Sequence, residues 1–94
     1  MRMEVALFLL TYGYNDTDLR AQRRDDHVAY LNKMREDGAL VAAGPYEDGS
    51  GGAILLNAED VAAAEKLVAG DPFTQLDVTR DRYLRAWKVT VGEV

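Results

Sequence analysis

The chain has 94 residues and a mass of 10.4 kDa, the size of one small domain, so residues 1–94 are expected to fold as a single unit around a thin core. Hydrophobic residues make up 48% and charged residues 29% of it, which is too much apolar surface for a disordered chain. The formal net charge of −5 opposes nucleic-acid binding, which needs a clustered positive field, and zero cysteines remove disulfides, thiolate nucleophiles and cysteine metal sites together.

Residues 3–12 form a near-continuous apolar run containing Val5, Phe8 and Tyr12, as expected of a central strand covered on both faces. The run is far short of the roughly 20 apolar residues of a membrane span and leads into no small-residue cleavage site. A cytoplasmic protein with no membrane partner is therefore expected. Gly13 to Asn15 breaks the run, and Asp16 or Thr17 can cap a helix that extends to about Asp37 and is closed by Gly38. Within that helix Leu19, Arg23, His27, Tyr30, Leu31 and Met34 fall on one stripe.

Residues 39–46 suit a second strand ending near Pro45, because proline cannot donate to an interior ladder. Glu47 to Gly52 has the composition of a hairpin connection. It opens onto the strand Ala53–Leu56 and not onto a helix N-terminus, so a turn is favoured over a phosphate cradle. Asn57 is expected to cap a second helix, with Asp60 completing a capping box and Val61, Ala64, Leu67 and Val68 forming the apolar stripe as far as Ala69. Gly70 ends it. After Asp71 to Leu76, a last strand from Val78 to Val91 would place Tyr83, Trp87 and Val89 on one side and Leu84 and Ala86 on the other. Gly92 to Val94 is expected to fray.

The order β-α-β-β-α-β predicts an α+β, ferredoxin-like fold: a four-stranded antiparallel sheet with two helices on one face. Large residues on the opposite face need a cover, and the same face of a second copy is the simplest one, which predicts a homodimer. Trp87 belongs to that intersubunit face. Arg80, Arg82 and Arg85 are assigned to a solvated edge or to intersubunit salt bridges.

One histidine and one serine leave few catalytic constellations. A Ser-His-Asp triad would have to use Ser50 in the glycine turn, where nothing holds a hydroxyl against a base. His27 with carboxylates suits neither structural nor catalytic zinc, and no GxGxxG, P-loop or haem-attachment motif occurs, so neither a metal nor a cofactor is expected. What remains is His27 on the inward stripe, with Arg24 three residues before it. Two accounts of His27 stay open from the residues alone: a packed histidine with a satisfied ring, or half of an acid/base pair. Asp71 is the natural partner, since Pro72 holds it extended after the helix stop, although an Asp before Pro is also a common turn cap.

Arg24-x-x-His27-x-x-Tyr30-Leu31, followed by Gly38-x-Leu40-x-x-x-Gly44-Pro45 and by Asp71-Pro72-Phe73 with a closing strand that reaches Trp87, resembles the YciI-like (YCII-related) family over nearly the whole chain. The resemblance implies a dimeric α+β barrel related to muconolactone isomerase, with an active-site His–Asp pair at His27 and Asp71. It also implies small cyclic oxygenated substrates, because a characterised relative dehalogenates a chloroaromatic breakdown product. Arg24 would steer an anionic substrate, and Tyr12, Gly44, Pro45, Tyr46 and Phe73 are candidates for the pocket wall. The expected function is proton transfer of an isomerase, lyase or dehalogenase kind; a non-catalytic small-molecule-binding or accessory dimerisation module is the alternative.

Overall fold

Alternation of side chains along the strands decides where the core lies. The structure is a computed structural model and describes residues 6–94; residues 1–5, and with them the start of the strand expected from residue 3, lie outside the described residues. In β1 (Ala6–Tyr14), Phe8, Leu10 and Tyr12 turn to one face and are buried. Across the ladder Phe8 meets Leu56 and Leu10 meets Ile54 of β3 (Gly51–Ala58), so two apolar rows share one face. Among the described residues the sheet has four antiparallel strands in the order β2-β3-β1-β4, where β2 is Leu40–Pro45 and β4 is Thr79–Ala86. That is the ferredoxin-like arrangement expected from the element order.

Helix α1 (Thr17–Glu36) starts where Asp16 accepts a hydrogen bond from the Leu19 N–H at 2.9 Å and closes at Gly38, whose φ of +80° suits glycine. It packs Met34 into the core and buries His27, whereas Arg23 of the expected stripe is exposed and pairs with Asp26. Helix α2 (Val61–Ala69) contributes Ala64, which is fully buried, with Leu67 and Val68 packed beside it. Both helices lie on the face that carries Phe8, Leu10, Ile54 and Leu56. No helix among the described residues is long and apolar enough to cross a membrane.

Several boundaries differ from expectation, each for a local reason. Asn57 does not cap α2: it still pairs with Leu7 in the sheet, so the cap falls to Asp60, whose carboxylate accepts from the Ala63 N–H at 2.8 Å. Val61, placed at the first turn by that shift, is half exposed and not part of the stripe. The hairpin turn is shorter than expected because Gly51 and Gly52 already belong to β3. A short helix α3 (Pro72–Gln75) was not anticipated. Finally, β4 ends at Ala86 and not at Val91, with the Trp87 N–H donating to Leu7 O just past its end. Within β4, Asp81 at φ +50° forms a bulge opposite Tyr12.

Leu56 is 1% exposed at the centre of this core. Leu56→Ala is expected to cost about 2–5 kcal/mol, read as a lowered urea midpoint at unchanged slope; an unmoved midpoint would place Leu56 outside the stabilising core.

Candidate functional site

The site is built where α1 crosses the junction between α2 and α3. Gly70 closes α2, Asp71 is held extended (φ −72°, ψ 126°) before Pro72, and Pro72 occupies the first turn of α3, where a missing N–H costs nothing. The Asp71 side chain therefore turns back as the α3 cap, its Oδ1 accepting from the Phe73 N–H at 3.0 Å. The same oxygen lies 2.8 Å from His27 Nδ1, both side chains being buried. An ionised carboxylate can only accept, so Nδ1 carries a proton, and in neutral imidazole the unprotonated nitrogen is then Nε2. Phe73, the next residue but one, lies flat against the imidazole, with ring centroids 3.8 Å apart and planes 2° from parallel. One four-residue helix and its N-cap thus supply both the hydrogen-bond partner and the wall that fixes the ring plane.

His27 also lines a cleft of about 490 Å³ between α1 and the edge strand β2. No buried side-chain nitrogen or oxygen among the described residues lacks a partner. Since Nδ1 makes the hydrogen bond found for this ring, Nε2 is not fully enclosed, in a residue that lines the cleft. Phe73, Arg24, Tyr12, Gly44 and Pro45 line the same cleft. Tyr46 does not: it is exposed beyond Pro45, where its N–H closes the hairpin turn against Gly51 O. Asp71 stands behind the imidazole and not on the cleft wall.

Three features of the cleft escaped the sequence. Arg20 and Arg35 join Arg24 along its α1 wall, and Tyr14 lies beside Tyr12. None of these three arginines has a carboxylate within 4.0 Å among the described residues; the Arg20 guanidinium sits 4.3 Å over the Tyr14 ring. Spacing offered a signal, since positions 20, 24, 28, 32 and 35 trace one helix edge offset from the apolar stripe. The opposite wall, Leu40 to Pro45, carries no charged side chain. In a chain of net charge −5, the cleft is thus lined with cations on one side and apolar groups on the other. No three His, Asp or Glu side chains among the described residues are grouped to hold a metal ion.

Burial holds the Tyr12 phenol well above its ordinary value, and the neighbouring Tyr14 adds to the shift. Burial also raises the Tyr30 phenol, with the Asp71 charge contributing; its O–H donates to Leu67 O at 2.7 Å.

Residues 3–88 match the family model described as the YCII-related domain. Among solved structures, 5-chloro-2-hydroxyhydroquinone dehydrochlorinase (TftG) from Burkholderia phenoliruptrix, in complex with 2,5-dihydroxybenzoquinone, superposes with a TM-score of 0.77 at 22% identity, covering 87% of this chain and 93% of that one. Rv0793 from Mycobacterium tuberculosis superposes with a TM-score of 0.60 at 13% identity, covering 94% of this chain and 98% of that one. Both likenesses establish the fold. No curated protein matches significantly.

The raised phenols make a prediction at alkaline pH. A tyrosine whose folded value exceeds its unfolded value of about 10 keeps its proton longer in the fold. Its contribution to stability is therefore full below about pH 10 and falls as pH rises through the folded value. Stability is expected to fall above about pH 10, and Tyr12→Phe to fall less steeply there than the parent, followed by urea unfolding with phenolate absorbance as a second probe. Parallel curves for the two chains would contradict the burial of that hydroxyl.

Proposed function

The chain belongs to the YCII-related domain family, and from that premise we propose that it is a small-molecule enzyme in which His27 moves a proton while Asp71 orients the imidazole. The observation that carries this is the 2.8 Å Nδ1–Oδ1 bond in a histidine that lines the cleft. Asp71 fixes the tautomer and stabilises the imidazolium formed when Nε2 takes a proton. Phe73 keeps the ring from rotating out of that plane.

The substrate is a small oxygenated organic anion. Arg20, Arg24 and Arg35 supply a positive wall with no carboxylate partner among the described residues, and the β2 wall offers apolar surface for a ring. Nε2 removes a proton from a carbon next to a carbonyl, and the C–H electron pair passes toward the carbonyl oxygen. Return of the proton to a different carbon completes an isomerisation. Departure of a leaving group from the neighbouring carbon with its bonding pair, such as chloride, completes an elimination, and the imidazolium then gives its proton to water. All of this proceeds without a cofactor. A chlorinated hydroxyhydroquinone is the substrate named for TftG; its shared fold supports a planar hydroxylated ring as the class to try first.

The protein works as a homodimer with stacked sheets. Leu7, Leu9, Tyr83 and Trp87 lie on the face away from the helices, and Tyr83 and Trp87 are 53% and 43% exposed, a patch that a second copy would cover.

Two measurements test these assignments. Against a panel of chlorinated and hydroxylated quinols, with chloride release and ring absorbance as readouts, His27→Ala is expected to lower turnover on the order of 10²–10⁴-fold. Full turnover in that variant overturns the acid/base role, and ligand binding with no turnover in the parent favours a binding module. Sedimentation should give the parent twice the 10.4 kDa chain mass and Trp87→Glu the monomer mass; a monomeric parent removes the stacked-sheet dimer.

A further inference from the structure

Tyr12 enters the sequence argument as apolar wall, yet its surroundings give it a polar task. The residue is 6% exposed, its ring belongs to the core, and it lines the cleft beside His27. Its one polar neighbour of note is the Tyr14 phenol, toward which its O–H can donate and which with burial holds its pKa up; no hydrogen bond within 3.5 Å engages the hydroxyl among the described residues. No buried polar side-chain atom among the described residues is left unpartnered, so the oxygen is not fully enclosed, and Tyr12 lines the cleft. By contrast the Tyr30 hydroxyl, on the other side of His27 in sequence, is satisfied by Leu67 O.

The seat of that hydroxyl is specific. Gly52 does not have a left-handed backbone that would call for glycine. A Cβ there would fall 2.6 Å from the Tyr12 oxygen and 2.7 Å from Gly44 O, inside any tolerated contact. Glycine at 52 thus makes room for a phenol oxygen beside strand β2. Gly44 is itself part of the cleft wall.

We propose that the Tyr12 hydroxyl is the hydrogen-bond donor for the substrate oxygen on which charge develops when His27 removes its proton, and that Gly52 is the residue that seats it. The proposal rests on the acid/base role assigned to His27 and extends it by naming the electrophilic partner. Proton abstraction next to a carbonyl needs two groups: a base for the proton and a donor for the enolate oxygen. His27 supplies the first. A phenol held protonated in a buried wall supplies the second, and it donates from a site where the aqueous alternative is largely excluded. The enolate keeps its charge and Tyr12 keeps its proton, so no additional reactant is required. The ligand class follows: a planar ring bearing a carbonyl or ionised hydroxyl oxygen, such as a hydroxyquinone or its quinol tautomer, with its anionic edge toward Arg24.

The test uses full-length protein and 2,5-dihydroxybenzoquinone as the probe, with binding followed by calorimetry and by the carbonyl stretch of the bound quinone. The parent is expected to bind with a carbonyl band moved to lower frequency. Tyr12→Phe, which retains the ring, is expected to bind on the order of 10-fold or more weakly and to lose the band shift. Gly52→Ala is expected to reproduce the lost band shift with His27, Asp71 and Phe73 untouched. Equal affinity and an equal band in Tyr12→Phe overturn the assignment while leaving the His27–Asp71 pair intact. Loss of the band in Tyr12→Phe with undiminished turnover in His27→Ala has the opposite meaning: the donor stands and the acid/base role fails. A parent that leaves the probe unbound overturns the ligand class and the Tyr12 assignment with it.

Discussion

The hydrogen bond between His27 Nδ1 and Asp71 Oδ1 ties together parts of the chain 44 residues apart. It fixes the imidazole on the α1 side of the cleft. Without a partner, an imidazole as buried as this one would leave a polar nitrogen in a wall made of Phe73 and core side chains, an arrangement that costs about 1–3 kcal/mol. Asp71 meets the need with an oxygen already committed to the Phe73 N–H, so one atom caps α3 and orients the ring. Because the same short helix presents Phe73 to the flat face of His27, the imidazole is constrained in position, in rotation and in tautomer by three consecutive residues, Asp71-Pro72-Phe73. That economy suits a 94-residue chain, whose small core leaves few rigid elements from which to build a site.

The same constraint explains the shape of the cleft. Helix α1 is held at His27 by α3, at Tyr30 by the Leu67 carbonyl of α2 and at Met34 by the core, and its remaining surface is mostly charged and exposed. Strand β2 opposes it with Leu40 to Pro45, in which Ala42, Ala43 and Gly44 contribute little side-chain volume. Large apolar residues at those positions would close the gap and improve the core. Small ones keep about 490 Å³ open beside the only imidazole of the chain. The edge position of β2 also accounts for Pro45, since a strand with one neighbour tolerates a missing N–H.

Much of this was legible in the sequence, and the exceptions are instructive. The inward position of His27 followed from helical spacing, and the Asp-Pro pair marked Asp71 as a residue held in a defined direction; what spacing could not supply was contact between them, which depends on α1 and the α2–α3 junction meeting over one sheet face. Family resemblance supplied that link. Helix α3 was missed because four residues are too few to show a period. Asn57 was misread as a cap because Asn-Ala-Glu-Asp offers two cap-competent residues three apart, and only the ladder to Leu7 decides between them. Arg20 and Arg35 were missed for a different reason: apolar periodicity locates the face turned to the core, whereas the cleft is bordered by the helix edge next to it.

That distinction bears on how an acidic protein can hold an anion. Net charge acts over distances on the order of the Debye length, about 8 Å at physiological ionic strength, beyond which salt screens it. A ligand inside the cleft responds instead to the guanidinium groups a few ångströms away, with the apolar β2 wall limiting the solvent that would screen them. The fifteen helical rises from Arg20 to Arg35 span roughly 22 Å, so three cations mark the length of the cleft, and Arg24 is the one closest in sequence to His27. Placing positive charge along one helix edge and leaving the strand opposite uncharged orients a ligand as well as attracting it, because only one edge of a flat ring can face the arginines while the other rests on Leu40, Ala43 and Pro45. On the acid/base role proposed for His27, a base fixed in tautomer and plane is useful only to a substrate that arrives in a fixed orientation, which the cationic and apolar sides of the cleft would supply.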